Sequence, residues 1–534
     1  MTAPNLQQAF QEIPLKIVGG THYGRYPKIS LEETWNMIVS DQALVDYAGY
    51  MNVQTLASNL LGRGIYASSI AGLMFAIIGN QFFTIDAALQ VTFISTIDTS
   101  QGDVFMSENN GSQIAFTDYV NIYVYNYSTL VFSTITGASL SAGLGFDVSP
   151  GYISFQDGRF IVACSGTQTW ILSGFNNGTS WPTSADTAQI GSLQTKPDTI
   201  QAAVPFPGRG NLLFVFGSNV VEPWVDIGAA LFPYQKQASY NIDYGCLNAA
   251  SIAALGNHVV WLGANEESGP VIMVSDGNSI KEISTDGLDF KFSQLTNPTD
   301  CSGFLIKLDG HLIYQFTFKT DNLTYLYDFD SELFFTASDE DLNYHIARKV
   351  VFFNNQYYFV SYNDGNLYDF GTQFTNYQYS TTDIRQIPRI RITPPIRLPS
   401  QRYFIIKSLG FTVENGEPNS IQPFFFYSGE PILLAEENGT IIAEENGVLI
   451  ALDQTTQSGY REFDVASEAI DLSISRDGAV NFGNQFRMNM NPTGIRKSRF
   501  IYQRLGQAND ATPMLQFWGY GRFVVFDGVV EVYQ

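Results

Sequence analysis

The sequence predicts an all-β fold: a β-propeller of six or seven blades, followed by a C-terminal β-rich, sandwich-like region. The composition points this way, since the chain carries 41 Phe and 29 Tyr together with 46 Gly among its 534 residues. Aromatic side chains pack well on the pleated face of a strand, and Gly supplies the positive φ of tight hairpins. The pattern is also periodic, because pairs of apolar runs joined by turns recur about every 40–50 residues, the length of one propeller blade.

Residues 61–380 carry this repeated pattern and are predicted to form the propeller. The clearest hairpins have Asp-Gly between two apolar runs, at Asp157-Gly158 and again at Asp309-Gly310, which is a strong signal for a two-residue turn. We expect one four-stranded sheet per repeat, because each sheet buries its faces only when the ring closes. The alternative for the same pattern is an ordinary multi-sheet sandwich or barrel.

The segments that flank the repeats differ in character. Residues 1–60 are expected to be an irregular N-terminal segment with one short helix over residues 31–46. Residues 381–400 are rich in proline and hold four arginines. Because proline fixes φ and lacks a backbone donor, this segment is expected to be an extended linker. Its arginines suit either a docking strip for an acidic neighbour or an exposed arm with solvated charges.

Residues 401–534 are predicted to form a C-terminal β domain. Within it, residues 434–453 contain the element Ala-Glu-Glu-Asn-Gly twice. The two Asn-Gly pairs predict tight turns. We therefore expect a short hairpin insertion on the surface, without a chemical role.

The charge balance bears on the kind of partner. Acidic residues number 51 against 28 basic ones, which gives a net charge of −23. A protein that grips nucleic-acid phosphates presents a basic face, so specific DNA binding is not expected. The charge serves solubility, or it lines a surface past which DNA slides without sticking.

The cysteines and the apolar segments indicate a chain made in a reducing compartment. Cys164, Cys246 and Cys301 are widely spaced and form no CxxC pair, so neither a zinc site nor a disulfide framework is predicted. Free thiols suit synthesis in a reducing cytoplasm. The N-terminus has no apolar leader, and the most apolar stretch, residues 71–78, is too short to span a bilayer. No membrane-spanning segment is expected.

No catalytic, cofactor-binding or metal site is predicted, so the protein is not expected to be an enzyme. The four histidines, at positions 22, 258, 311 and 345, have no metal-ligand spacing. The sequence contains no zinc-protease, nucleophile-elbow, P-loop or dinucleotide-binding motif. Acidic clusters at residues 328–330 and 339–341 could supply paired carboxylates for glycoside hydrolysis. In a chain with 51 acidic residues such neighbours arise by chance.

One short motif has a structural precedent. Residues 475–478, Ser-Arg-Asp-Gly, are followed by Phe482 and resemble the Asp-box hairpin of sialidase-like propellers. In that motif the Asp side chain caps the turn and the aromatic ring packs beneath it. The motif is structural in those enzymes and lies away from their active sites, so it is weak evidence for hydrolysis.

Three longer segments carry a family resemblance. They are residues 33–53, residues 200–229 with Phe216, Glu222 and Trp224, and residues 475–508. Together they resemble the tail hub proteins of short-tailed (podoviral) phages of the Salmonella type, which are also called packaged-DNA stabilisation proteins or tail accessory factors. The resemblance is spread over most of the chain.

The resemblance implies a structural protein of the virion tail, part of the head–tail connector. Such hubs form homo-oligomers, a hexameric ring in the type case, beneath the portal and adaptor proteins. They extend the DNA channel, close it and stabilise the packaged DNA, which passes without specific binding. They also hold a tail needle and help to anchor spike or fibre proteins. No individual site residue and no cofactor are implied.

Two other functions are open alternatives. A receptor- or carbohydrate-binding propeller of a virion is favoured by the many Tyr and Trp side chains, which stack on sugars. A sialidase-like glycoside hydrolase is favoured only by the single Asp box. Such a hydrolase should show several boxes and an arginine cluster for the substrate carboxylate, so we rank it last.

Overall fold

The fold, seen in a computed structural model, is built almost entirely from antiparallel strands. The structure describes residues 10–24, 31–184, 189–229, 232–237, 242–400, 402–415, 469–490 and 497–533. Within these residues the helices are Gly137–Leu144 and Asp286–Phe292, with 3₁₀ turns at Ala249–Ser251 and Pro298–Asp300. The hairpin insertion predicted for residues 434–453 lies outside the described residues.

The N-terminal part contributes strands to three sheets. They are β1 (Phe10–Leu15), β2 (His22–Tyr23), β3 (Leu31–Trp35), β4 (Met37–Ser40), β5 (Ala43–Asp46) and β6 (Gly49–Thr55). The helix predicted over residues 31–46 is therefore wrong, and strands occupy the segment expected to be irregular. Asn36 and Asp41 turn the chain with φ of 56° and 52°, values that Asn and Asp tolerate better than most residues. The Asn36 amide also donates to Ser338 Oγ at 2.8 Å, so distant pairing overrides the local helical spacing.

Seven antiparallel sheets follow one another around a ring in the described part of the chain, which confirms the predicted propeller of six or seven blades. Six blades use strands that are consecutive in sequence. Blades 1 to 3 are β7 (Gly62–Ser68), β8 (Leu73–Ile78), β9 (Gln81–Ile85) and β10 (Val91–Thr96); β11 (Phe105–Glu108), β12 (Gln113–Thr117), β13 (Asn121–Asn126) and β14 (Val131–Thr136); and β15 (Pro150–Gln156), β16 (Arg159–Cys164), β17 (Thr169–Leu172) and β18 (Ile190–Ser192).

Blades 4 to 6 continue the same up-and-down order. They are β19 (Ile200–Pro205), β20 (Leu212–Gly217), β21 (Val221–Asp226) and β22 (Tyr234–Lys236); β23 (Gly245–Cys246), β24 (Ala253–Leu255), β25 (His258–Ala264), β26 (Val271–Ser275) and β27 (Ile280–Glu282); and β28 (Cys301–Leu308), β29 (His311–Phe318), β30 (Leu323–Asp328) and β31 (Leu333–Ala337). In blade 5 the short strands β23 and β24 both pair with β25 and together take the innermost position.

The predicted Asp-Gly hairpins are confirmed at the first turns of blades 3 and 6. The φ angles are 45° and 79° at Asp157 and Gly158, and 48° and 98° at Asp309 and Gly310. Positive φ at both central residues is typical of the turn that matches the twist of a tight hairpin.

Blade 7 closes the ring with a strand from the other end of the sequence. Its strands β32 (Ala347–Phe353), β33 (Gln356–Ser361) and β34 (Asn366–Gly371) are completed by β6, which pairs antiparallel with β34. The short strands β35 (Asn376–Gln378) and β36 (Ile384–Gln386) extend this sheet. Tyr50 of β6 stacks on Tyr377, with ring centroids 4.4 Å apart and ring planes at 10°.

The C-terminal region adds two sheets that share one apolar core. Its strands are β37 (Arg389–Ile392), β38 (Phe404–Asn415), β39 (Ala469–Ser475), β40 (Phe486–Asn489), β41 (Lys497–Ala508), β42 (Thr512–Trp518), β43 (Phe523–Val525) and β44 (Gly528–Tyr533). One sheet has the order β1-β44-β38-β43-β5-β4, with β41 on the other side of β38. The other, β37-β42-β39-β40, joins the outer strand of blade 6 through β3. The C-terminal region is thereby fixed to the propeller beside blades 6 and 7.

Candidate functional site

The described residues hold one group of three potential metal ligands, at a turn of blade 6. His311, Asp328 and Asp330 have ligand atoms within 4.8 Å of one another. His311 Nδ1 lies 3.0 Å from Asp328 Oδ2, and its Nε2 lies 3.1 Å from Ser40 Oγ. Asp328 also accepts from the Ser331 hydroxyl at 2.6 Å, and Asp330 accepts a backbone N–H of the adjacent strand. These contacts hold the turn in its conformation, so the group has a structural role.

The second acidic cluster, at residues 339–341, is also a turn. Asp339 Oδ1 accepts the backbone N–H groups of Asp341 and Asn343 at 3.0 and 2.8 Å. This arrangement is the side-chain turn that Asp forms with residues a few positions ahead. The carboxylates are thus used to shape the connection between blades 6 and 7.

The Asp box lies in the C-terminal region and not in a propeller blade. It forms the turn between β39 and β40, where Ser475 Oγ donates to Asp477 Oδ1 at 2.6 Å. Asp477 in turn accepts the backbone N–H of Asn481 at 2.9 Å, and this hydrogen bond, with those of Ser475 and the Asn481 side chain, lowers the pKa of Asp477 to about 2. Ser475 forms a bridge with Phe482 across the turn. The motif stabilises a hairpin here.

The three cysteines are buried free thiols. Burial raises the pKa of Cys164 and of Cys246 to about 12. Since the thiolate is the reactive form, these side chains serve as small packing residues within the propeller.

Two of the four arginines of the proline- and arginine-rich segment are buried. Arg389 and Arg391 lie on β37 inside a sheet and are fully buried. Arg389 Nε and Nη2 donate to the two oxygens of Asp46 at 2.7 and 3.0 Å, and Arg391 Nη2 donates to Glu32 at 3.0 Å. The acidic groups that these arginines bind therefore belong to the N-terminal part of the same chain.

The residues that carry the family resemblance also have structural contacts. Glu222 is completely buried in blade 4. One of its oxygens accepts the backbone N–H groups of Gln194 and Thr195 at 2.8 and 2.5 Å, and the other accepts Trp224 Nε1 at 3.1 Å. Although burial opposes it, hydrogen bonds from Thr195 and Gln194 and the Lys236 ammonium lower the pKa of Glu222. This carboxylate holds the connection between blades 3 and 4 against blade 4.

The centre of the ring is bridged at the end where the first strands begin. Lys349 of blade 7 donates to the carbonyl of Ala250 in blade 5 at 2.9 Å, which requires it to reach across the inner side of blade 6. Arg348 donates to Asp103 and to the carbonyl of Gly62, at 2.9 and 2.8 Å. Burial lowers the pKa of Lys349 to about 8. These contacts tie blade 7 to blade 5 and to the first two blades.

A groove of about 790 Å³ lies on the outer face of the C-terminal sheet, and we call it the sheet groove. Gly410 of β38 pairs with Ile501 on one side and with Val529 on the other, so a position without a side chain lies between two apolar walls. Ile405, Ile501 and Val529 are exposed there. Polar and charged residues complete the lining: Glu12, Lys407, Ser408, Arg499, Gln503, Arg504 and Glu531.

The sequence analysis did not identify the sheet groove. A signal was present, because β41 alternates exposed and buried residues and Ile501 falls on its exposed face. An apolar residue on the polar face of an alternating strand is an indication of a contact surface.

In the part of the chain that the structure describes, no helix is both long enough and apolar enough to cross a membrane.

Comparison with known proteins identifies a family. The family model Phage_stabilise, described as bacteriophage P22 Gp10, β-propeller, matches residues 25–375. No curated protein matches the chain in sequence.

Solved structures resemble part of the chain at low similarity. Virginiamycin B lyase from Staphylococcus aureus is 10% identical, with 61% of this chain and 98% of that chain covered and a TM-score of 0.41. The N-terminal domain of Nup159 is 11% identical, with coverage of 64% and 98% and a TM-score of 0.39. U3-55K is 9% identical, with coverage of 60% and 98% and a TM-score of 0.38. At such low TM-scores these likenesses carry no argument about activity.

Proposed function

The chain belongs to the bacteriophage P22 Gp10 phage-stabilisation family, and from this premise we propose that it is the hub of a phage tail. In this role it extends the channel of the portal and adaptor proteins, closes that channel and stabilises the packaged DNA. The observation that carries the proposal is the family match over residues 25–375, which spans strands β3 to β34 and so includes every blade of the propeller. The role is structural and not enzymatic.

The net charge of −23 supports a surface past which DNA moves freely. Phosphate contacts from Lys and Arg supply most of the affinity of nucleic-acid binders. A chain with this excess of carboxylates repels the duplex over most of its surface, so DNA passes the hub without specific binding.

The bridged centre of the propeller bears on where the DNA passes. At the inner side of the ring Lys349 connects blade 7 to blade 5, and Arg348 connects blade 7 to the start of blade 2, which supports a DNA path outside the single propeller. The channel is therefore formed between several copies arranged as a ring, for which the family precedent is a hexamer. Tail needle and spike or fibre proteins are the further partners, and the assembled protein resides in the virion tail.

We assign the parts of the chain as follows. The propeller over residues 61–380 is the rigid body of each subunit. The C-terminal β domain, residues 401–534, is joined to it by residues 381–400 and offers additional contact surface. The N-terminal residues 1–60 connect the two.

The test is immunogold electron microscopy of phage particles with an antibody against this chain. Label on the tail axis close to the head vertex is the expected result. Label on distal fibres would favour receptor binding instead, and particles without label would overturn a virion role. A matched preparation of particles that lack this protein controls for non-specific labelling.

A further inference from the structure

One end of the propeller displays apolar side chains from nearly every blade. We call it the hairpin end; it carries the connections between the first and second strands, and between the third and fourth strands, of each blade. Blades 1, 2, 3, 4, 5 and 7 each expose one large apolar residue there: Ile70, Leu130, Phe175, Ile227, Leu255 and Phe352. The recurrence of such a residue on one end of nearly every blade makes this end a candidate interaction surface.

Blade 6 has no such exposed residue among its described ones, because the C-terminal region and N-terminal strands already cover it. His311 at its first turn contacts Ser40 at 3.1 Å. Asp309 at the same turn lies 3.6 Å from Arg522. At blade 6 the hairpin end is therefore already a contact surface within the chain. The exposed apolar residues at the same end of blades 1–5, which we call the arc, continue that surface.

Two carboxylates lie close together on this arc, at blades 3 and 4. Asp157 lies in the first turn of blade 3, and Asp226 ends the third strand of blade 4. Burial and the neighbouring carboxyl of Asp226 raise the pKa of Asp157, which places the two groups side by side. Neither carboxylate forms a salt bridge within the described chain, although Arg159 and Arg209 lie on the same end and donate to backbone carbonyls.

Phe175 and Ile227 flank these carboxylates. Phe175 stands over the turn at Gly158, where an added Cβ would meet its ring at 2.4 Å, yet 68% of the side chain is exposed. Ile227 follows Asp226 directly in sequence. Blades 3 and 4 thus present an aromatic ring and an aliphatic side chain beside two acidic groups.

The sheet groove has the complementary character. Its walls are the exposed Ile405, Ile501 and Val529. Lys407 is neutralised by Glu531 at 3.0 Å, whereas Arg499 and Arg504 have no carboxylate within salt-bridge distance among the described residues. Hydrogen bonds from Lys407 and Ser408, together with the charges of Lys407 and Arg499, lower the pKa of Glu531, so Arg499 is partly compensated. The groove therefore offers apolar walls and an excess of cationic side chains, with Lys407, Arg499 and Arg504 against Glu12 and Glu531.

We propose that the sheet groove of one copy binds the hairpin end of blades 3 and 4 of a second copy. Apolar walls would receive Phe175 and Ile227, and Arg499 and Arg504 would pair with Asp157 and Asp226. The C-terminal region is attached at blades 6 and 7, which lie across the seven-bladed ring from blades 3 and 4. A head-to-tail contact of this kind closes into a ring when its rotation permits, so the inference deepens the proposed hub function and rests on it.

The experiment is a charge exchange in the full-length chain, read by sedimentation velocity over a range of concentrations. R499E/R504E and D157N/D226K are each expected to weaken self-association at least about tenfold, because like charges then face each other. Asn is chosen at position 157 because it tolerates the φ of 45° there. The four substitutions combined in one chain restore opposite charges and are expected to return association to within about threefold of the wild type.

One charge-reversal control and one matched pair of apolar substitutions control for general charge effects and for unfolding. E266R/E267R, on the opposite end of blade 5, should leave association unchanged. F175S should weaken association about tenfold without lowering the melting temperature, and L342S, an exposed apolar residue at the opposite end of the ring, should have no effect.

Failure of the combined variant to restore association, with both parent variants folded, would overturn the contact. A wild-type chain that stays monomeric at every concentration would also overturn it. Neither result touches the hub assignment, which depends on the position of the protein in the particle. Conversely, rings in solution with no label on any virion would leave the contact standing and remove the proposed function.

Discussion

At the scale of single residues, the most consequential groups are buried charges whose partners lie far away in sequence. Arg389 reaches Asp46 across 343 positions, and Arg391 reaches Glu32 across 359. A buried ion pair adds little net stability when intact but leaves an uncompensated charge when one partner is removed. These pairs therefore fix the arrangement of the C-terminal region and the N-terminal strands more than they strengthen it.

Arg389→Ala is expected to lower the free energy of unfolding by about 3–5 kcal/mol, because it leaves the buried Asp46 carboxylate without its cationic partner. Chemical denaturation in urea measures the change. Lys281→Ala is the control, since Lys281 is 64% exposed and pairs with Glu332, which is 72% exposed; its loss should cost less than about 1 kcal/mol. Equal effects of the two substitutions would contradict the buried pairing.

Asp369 is a buried carboxyl that the fold disfavours in its charged form. One of its oxygens has no hydrogen-bond partner among the described residues, and burial raises its pKa to about 6. At pH 7 the folded chain must hold this group ionised, and the penalty disappears once the pH falls below the unfolded pKa of about 4. Through this group the free energy of unfolding therefore increases as the pH falls from about 6 to about 4.

Asp369→Asn is expected to raise the free energy of unfolding at pH 7 by roughly 1–3 kcal/mol. The advantage should shrink as the pH falls through 6 and vanish near about pH 4. Urea denaturation of both proteins over this pH range measures it. Asp341→Asn, at an exposed position, is the control and should show no difference, and an advantage of D369N that persists at low pH would refute the role of the buried charge.

At the scale of elements, the blade hairpins could be predicted from the sequence because they depend on neighbours. Asp-Gly turns and alternating apolar runs are local signals, and the structure confirms them at Asp157-Gly158 and Asp309-Gly310. The strands from Leu31 to Asp46 could not be predicted, since the backbone conformation of Asn36 depends on Ser338. The burial of Arg389 was equally hidden, because nothing near it in sequence reveals the carboxylate that it binds.

The closure of blade 7 depends on one aromatic residue of β6. Tyr50 stacks on Tyr377 and meets Phe359 edge to face, with centroids 5.5 Å apart. Tyr50→Ala should destabilise the chain by roughly 3–5 kcal/mol and speed amide exchange in β34, whose pairing with β6 it weakens. Hydrogen exchange followed by mass spectrometry measures this locally. Tyr403→Ala, at an exposed position, should change neither quantity by a measurable amount.

At the scale of the whole molecule, the two ends of the chain depend on each other. Strands β1, β3 and β5 pair with β44, β37 and β43, all of which follow residue 380. The apolar side chains Leu15, Met37 and Leu44 belong to the C-terminal core. The propeller, completed by β6, is therefore a separable ring, whereas β1, β3 and β5 pair with strands of the C-terminal region.

This dependence makes a prediction about fragments, and it tests the proposed division at residue 380. A fragment of residues 49–380 keeps β6 and all seven blades, so it is expected to fold and remain soluble. A fragment of residues 1–380 exposes strands without partners and is expected to aggregate. Soluble yield and thermal melting measure the difference, and equal behaviour of the two fragments would show that the division is misplaced.

The pairing of β6 with β34 also sets the order in which a newly made chain matures. Gly49 leaves the ribosome early, but its partner Gly371 follows only after six blades have been synthesised. At about 5–20 residues per second, β34 is synthesised on the order of tens of seconds after β6. During that interval β6 and the unclosed ring offer unpaired strand edges, so an infected cell that makes many copies at once would need chaperones to keep neighbouring nascent chains from exchanging this strand.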